Sequence, residues 1–251
     1  MRRALRVLDY LAEAPGPVPI KQIATGLDIN ISSSYHLLNT LVIDGYAARD
    51  ERSGAFGLGP KAARLGPAFA RNWPVLPQLR EVIRELGART NENAYLALAA
   101  GRDVIISEIV ETQQPVRIQG LHQGYSGDLH ARALGKAVLA HRDATFVRDH
   151  FAAHPPRRCT ERTIVDLGAI EAQLGRVRRR GYSEDLEEYC DGVCCIGAPI
   201  FAADDTVYGA LSVSIPAFRF RRARGTALDA VVAASQAATA ALGAIPRSEV
   251  D

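Results

Sequence analysis

Five residues that could read another molecule, Ser32, Ser33, Tyr35, His36 and Asn39, fall within one short stretch, ISSSYHLLNTL. At helical spacing Leu37, Leu38 and Leu41 share one face with Ser34 above them, and Ser32, Tyr35, His36 and Asn39 point the other way. Hydroxyl, imidazole and amide groups can hydrogen-bond phosphate oxygens and base edges; the plainer reading is a solvated face. A second set lies in ALSVSI. Strand alternation puts Ser212 and Ser214 on one face, with Leu211, Val213 and Ile215 on the other. Such hydroxyls can meet a small ligand or bond backbone carbonyls within the sheet. The third set is the thiols Cys159, Cys190, Cys194 and Cys195. A thiol hydrolase would pair Cys195 or Cys194 with His130 or His122 as base, oriented by Asp185. No local signature supports that arrangement. A metal held by Cys190, Cys194 and His130 lacks the spacing of a tetrahedral set. A redox pair of Cys194 and Cys195 would strain the backbone, since neighbours on a strand point to opposite faces. Reduced, buried thiols are the simpler reading for Cys159, Cys190 and Cys194. The reading therefore assigns no catalytic residue, metal or cofactor.

These groups need elements to position them. Residues 1–58 read as three short helices and a hairpin. Leu5, Leu8, Leu11 and Ala12 fit one face of the first helix. Pro15, Pro17 and Pro19 break it, and IKQIATGL forms a second helix stopped by Gly26. Asn30 is the expected N-cap of the third. GYAARDERSGAFGLG gives two short strands around Arg52, Ser53 and Gly54. This order is a winged helix-turn-helix, in which the third helix enters the major groove. PKAARLGPAFARNW reads as a connecting helix interrupted near Pro67 and at Pro74. Beyond it, VLPQLREVIRELGART is an amphipathic helix. NAYLALAAG and DVIISEIV are strands joined at Gly101 and Arg102. ALGKAVLAH and LGAIEAQLGRVRRRG are helices, VCCIGAPIF and TVYGALSVSI are strands joined near Asp204 and Asp205, and TALDAVVAASQAATAALGA is a closing helix. Strand pairs alternating with helices indicate an α+β domain on an antiparallel sheet.

The chain has 251 residues, 47% hydrophobic and 23% charged, a composition expected of a soluble globular protein. No apolar run approaches the roughly 20 residues that span a bilayer. Asp9 and Glu13 interrupt the start, so a cytoplasmic location and no membrane partner are expected. A net charge of +2 gives no broad attraction for nucleic acid, and any DNA contact must come from local placement. The basic cluster Arg176, Arg178, Arg179 and Arg180 reads as a solvated helix end.

Two halves in this order resemble the IclR family of bacterial regulators over nearly the whole chain. The resemblance rests on RALRVLDYLAE, SSSYHLLNTLVIDGYAARD and a wing ending GLG. More specific are LHARALGKAVLA, RRRGYSEDLEEYCDGVCCIGAPIF and ALSVSIPAFR. It implies a winged helix-turn-helix DNA-binding domain over 1–60, a linker helix over 61–74, and a GAF-like effector-binding domain over 75–251. It also implies double-stranded operator DNA as partner, a homodimer or homotetramer, and a regulator, repressor or activator, answering to a small organic acid. The rival is a thiol-dependent hydrolase or redox sensor using Cys195.

Members often carry Arg where His36 stands and a basic residue near Ile31, whereas this chain has no Lys or Arg between Lys21 and Arg49. DNA reading then falls to Ser32, Ser33, Tyr35, His36 and Asn39. Arg2, Arg3, Arg6, Arg49 and Arg52 supply most phosphate neutralisation, and the salt dependence is modest. By the same resemblance the effector pocket is lined by Ala133, Leu134, Asp185, Cys195, Ser212 and Ser214. Arg117, in PVRIQG, reads either as a cation near the mouth or as an exposed strand residue. Helix-start amides, hydroxyls, a thiol and a carboxylate fit an oxo-acid, a hydroxy-acid or an aromatic acid. Leu134 is bulky and limits the volume. Asp185 would accept a hydroxyl proton or be protonated through burial.

Overall fold

The computed structural model describes residues 1–66, 77–101, 103–113 and 121–243, and the chain divides into two compact units, Met1–Pro74 and Val75–Asp251. The first unit runs α1 (Arg2–Glu13), α2 (Ile20–Leu27), α3 (Ile31–Ile43), β1 (Ala47–Arg49), β2 (Phe56–Leu58) and α4 (Pro60–Ala63). Its core joins Val7, Leu11, Val18, Ile23, Leu27, Leu38, Leu41, Ala47 and Phe56. The strands pair antiparallel, Ala47 opposite Leu58, and Val18 adds a bridge to Phe56. Of the connecting helix expected over 61–74, the structure describes the part up to Gly66; residues 67–74, with Pro67 and Pro74, lie outside the described residues.

Two expectations for this unit change. The buried face of α1 centres on Val7 and Leu11, while Leu5 and Ala12 are exposed. Periodicity from Leu5 selects a stripe about one position off, because Val7 fits a 3.6-residue repeat equally well. Gly26 does not stop α2 but lies inside it. A Cβ there would sit 2.5 Å from the Tyr10 ring, so the glycine admits close helix packing. Asp28 ends the helix instead, in the left-handed conformation at φ 53, and its amide reaches back to the carbonyls of Ala24 and Thr25.

The second unit comprises α5 (Pro77–Thr90), β3 (Asn93–Ala100), β4 (Asp103–Val110), α6 (Ala133–Leu139), α7 (Ala144–Ala153), α8 (Leu167–Arg180), β5 (Ser183–Leu186), β6 (Val193–Phe201), β7 (Val207–Pro216) and α9 (Ala217–Gly243). The five strands lie in the order β4-β3-β7-β6-β5, each antiparallel to its neighbours. One face carries Leu96, Ile196, Leu211, Val213 and Ile215 against Leu79, Ile83 and Leu86 of α5 and the Ala-rich stripe of α9. The other carries Tyr95, Ala97, Cys195 and Ala210 against α6, α7 and α8. Both faces are covered, so β6 and β7 are buried nearly throughout, while the edge strand β4 is mostly half-buried. Three elements differ from expectation, and one expected turn residue falls outside the described residues. Helix α7 and strand β5 are additional elements, α9 begins at Ala217 and so includes FRFRRARG, and Arg102 lies outside the described residues.

Candidate functional site

Helix α3 is set by its cap. Asn30 accepts a hydrogen bond from the Ser33 amide at 2.7 Å, and Ser34 donates to the Asn30 carbonyl at 3.0 Å. Leu38 and Leu41 anchor it in the core; Ser32, Tyr35 and His36 are exposed, with Ser33 and Asn39 half-buried. The five expected side chains thus lie along the uncommitted side of one helix. The Ser33 amide is already used in the cap, so for a phosphate the helix start offers the amides of Ile31 and Ser32. In the wing, Asp50 accepts from the amide and hydroxyl of Ser53, each at 2.7 Å, which holds its carboxyl below the usual range. Arg49 leans over the Phe56 ring at 5.7 Å and donates to the Gly54 carbonyl at 3.3 Å while remaining exposed. Arg52 is exposed at the turn.

In the second unit, register assembles the pocket. Asp185 lies opposite Cys195, and Cys195 opposite Ser214. In the neighbouring row Ser183 lies opposite Gly197, Gly197 opposite Ser212, and Ser212 opposite Tyr95. Directly opposed residues share a face, so the polar side chains of both rows point toward α6. That helix is held at its start. Ser183 donates to the Ala133 carbonyl at 2.7 Å. A Cβ on Gly135 would lie 2.3 Å from the Leu129 carbonyl oxygen, and only glycine lets the preceding chain pass so close. Below it, Lys136 donates to Glu188 at 2.6 Å, both buried, and Gln173 donates to the same carboxylate at 3.2 Å.

A small cavity results, lined by Ala133, Leu134, Asp185, Cys195 and Ser212. Its free volume is about 10 Å³, room for about one water. Leu134, 3% exposed, helps fill it. Ser214 does not line it but bonds the Tyr95 hydroxyl at 3.3 Å from the adjacent row. Arg117 lies outside the described residues. Asp185 accepts from the amides of Glu188 at 2.7 Å and Tyr189 at 3.3 Å, so it secures a turn as well as lining the cavity. Burial raises its carboxyl to about 7, against the lowering pull of Lys136. Burial also pushes the Cys195 thiol well up, and nearby Asp185 adds to this. Cys194 faces the opposite core and is raised to about 11 by burial. His130 bonds the Arg157 carbonyl through Nε2 at 2.9 Å. Among the described residues, no three His, Cys, Asp or Glu side chains gather as a metal would require.

The remaining lining side chains, Tyr95, Leu121, Arg132 and Tyr189, were not singled out from the sequence. Tyr95 is identifiable only through its register with Ser212. Arg132 carried a visible signal, a charge between buried positions in HARALGKA. It is 4% exposed, and among the described residues none of its three guanidinium nitrogens has a hydrogen-bond partner.

Known proteins resemble this chain along most of its length. The family model "IclR helix-turn-helix domain" matches residues 1–51, and "Bacterial transcriptional regulator IclR C-terminal" matches residues 68–241. The HTH-type transcriptional regulator BhcR of Paracoccus denitrificans is 34% identical over 248 residues, covering 98% of this chain and 88% of that protein. The HTH-type transcriptional repressor AllR of Klebsiella pneumoniae is 29% identical over 219 residues, covering 87% and 80%. A crystal structure of an IclR-type transcriptional regulator from Silicibacter sp. TM1040 superposes with a TM-score of 0.77 at 28% identity, covering 98% of this chain and 97% of that one.

Proposed function

The chain belongs to the IclR family of bacterial transcriptional regulators, and from that premise we propose that a small organic acid, entering the cavity beneath α6, modulates its grip on operator DNA. Regulation of transcription through a helix-turn-helix is the family's activity; effector, contact residues and assembly are specific to this proposal. Ser32, Ser33, Tyr35, His36 and Asn39 read the major groove, and Arg49 and Arg52 hold the backbone beside it. A homodimer or homotetramer sets two such helices on a pseudo-palindromic site. The boundaries that fit are a DNA-binding domain over 1–60, a linker over 61–74 and an effector domain over 75–251.

The observation carrying the effector site is the pair of polar rows, Asp185–Cys195–Ser214 and Ser183–Gly197–Ser212–Tyr95, facing the start of α6 from within the sheet. A cavity with room for about one water must widen to admit an acid, and that widening is a difference between states that a ligand can favour. Catalysis by Cys195 is disfavoured, because burial and Asp185 both hold its thiol neutral and a thiolate is the nucleophile. The protein acts in the cytoplasm, and no helix among the described residues is long and apolar enough to cross a membrane.

Fluorescence anisotropy with labelled DNA from the region upstream of the gene, against scrambled DNA, tests the reading. Specific binding that shifts on adding short-chain acids is expected. Equal binding to both DNAs, unchanged by any acid, would overturn it.

A further inference from the structure

Arg132 is an anomaly that the effector reading does not use. It immediately precedes α6, is 4% exposed, and lines the cavity with Asp185, Cys195 and Ser212. Its guanidinium lies over the Tyr125 ring at 4.8 Å. Among the described residues, Nε, Nη1 and Nη2 all lack a hydrogen-bond partner. A buried charge of this kind is costly unless something pairs with it. The acids around it are committed elsewhere. Asp128 accepts from Arg157 Nε at 2.8 Å and from the Tyr125 hydroxyl at 2.7 Å. Asp185 accepts from two backbone amides, and Glu188 takes Lys136.

We propose that Arg132 is the anion anchor of this cavity, binding a ligand carboxylate through two parallel N–H···O bonds, and that the effector class is therefore short-chain carboxylates. The planar fork of a guanidinium matches the two oxygens of a carboxylate, and five donors without acceptors leave it nothing else to hold. Low polarity around the site strengthens the pairing and leaves a neutral isostere unrewarded. Because the cavity must widen to admit any acid, short, unbranched acids are favoured. The hydroxyls of Tyr95 and Ser212 then face the remainder of the ligand and favour a hydroxyl or oxo group next to the carboxylate. This assignment rests on the effector reading of the same cavity. It adds the group that fixes the charge of the ligand.

The test is calorimetric titration of the full-length protein with lactate, pyruvate and acetate beside lactamide, pyruvamide and acetamide, repeated on Arg132→Gln and Arg132→Met. Wild type should prefer each acid to its amide by about tenfold to a hundredfold, as expected for a charge-assisted bond, and both variants should lose that preference. Ligand-free Arg132→Met should also melt higher than wild type, since it removes an unpaired buried charge; a residue serving only to hold the fold would do the reverse. If these variants fail to fold, Arg132→Lys, which keeps the charge but not the planar fork, is titrated instead and should keep only part of the preference. Equal binding of acids and amides by wild type, or an undiminished preference in Arg132→Gln, would overturn the anchor and leave the effector site standing. Failure of every compound to bind, with DNA affinity unmoved by the acids, would overturn both.

Discussion

Asp185 illustrates how a single side chain serves two purposes in this cavity. Its folded value of about 7 lies above the ordinary 3.8, raised chiefly by burial. The folded state therefore holds a proton that the unfolded state has released across that interval, and stability falls as pH rises through it. Asp185→Asn removes the titration. We expect the variant to gain on the order of 2–3 kcal/mol relative to wild type between pH 5 and pH 8, about two units of linkage. Denaturant melts at the two pH values read this, and any constant packing cost cancels in the difference; an unchanged gap would show that Asp185 is ionised throughout. On α3, His36→Ala and Asn39→Ala should each weaken specific DNA binding by about tenfold without a comparable change on scrambled DNA. Losses equal on both DNAs would mean backbone contact only. The face on which such residues sit was legible where a simple period exposed it. Ser212 and Ser214 stand two apart on a strand, and His36 and Asn39 stand on the face opposite the leucines. Tyr95 was not, because its place depends on strand pairing over 117 positions to Ser212. Arg132 left only a weak mark, a lone charge in HARALGKA, and a charge beside a helix start ordinarily faces water.

Short elements depend on how their ends are secured. Helix α6 has seven residues, all buried, including Lys136. Its ion pair with Glu188 couples the helix to the turn after β5, where Asp185 also bonds. Lys136→Met leaves a buried carboxylate without its cation and should cost about 3–5 kcal/mol in denaturant unfolding. Lys136→Met combined with Glu188→Leu should recover much of that loss, whereas a double variant no better than the single would show that the pair is not the source. At α3, Asn30→Ala removes the acceptor for the Ser33 amide and should cost about 1 kcal/mol. Long elements with a clear repeat were readable in advance, α5, α8, β6 and β7 among them. The failures cluster where a local signal is shared by several conformations. Gly26 resembles a helix stop but serves close packing against Tyr10, and the stop falls to Asp28, which enters the left-handed region less readily than glycine and so gives a weaker signal in the sequence. Strand β5 has four residues, SEDL, too polar and too short to announce itself. It exists because β6 offers a free edge and Ser183 and Asp185 gain buried partners there.

At the level of the whole molecule, charge and coupling set the behaviour. A net charge of +2 with an uncharged α3 face confines phosphate neutralisation to a few arginines, so the slope of DNA affinity against salt should be shallow. Arg52→Ala should reduce it by about one unit per subunit engaged, and equally for specific and scrambled DNA. Coupling admits a stricter statement. If a short-chain acid alters DNA affinity by some factor, operator DNA must alter affinity for that acid by the same factor, because both are legs of one thermodynamic cycle. The demand follows whatever the direction, release or tighter grip. It can be met by titrating the acid calorimetrically into free protein and into protein saturated with operator DNA, then comparing the ratio with that from anisotropy at zero and saturating acid. Agreement within error is expected with wild type. For Arg132→Gln both ratios should collapse toward one together, since a ligand with no preference between states shifts neither. Coincident acid titrations alongside an acid-sensitive DNA affinity would mean that the acid acts on the DNA complex from some other site, and the cavity beneath α6 would lose its regulatory role.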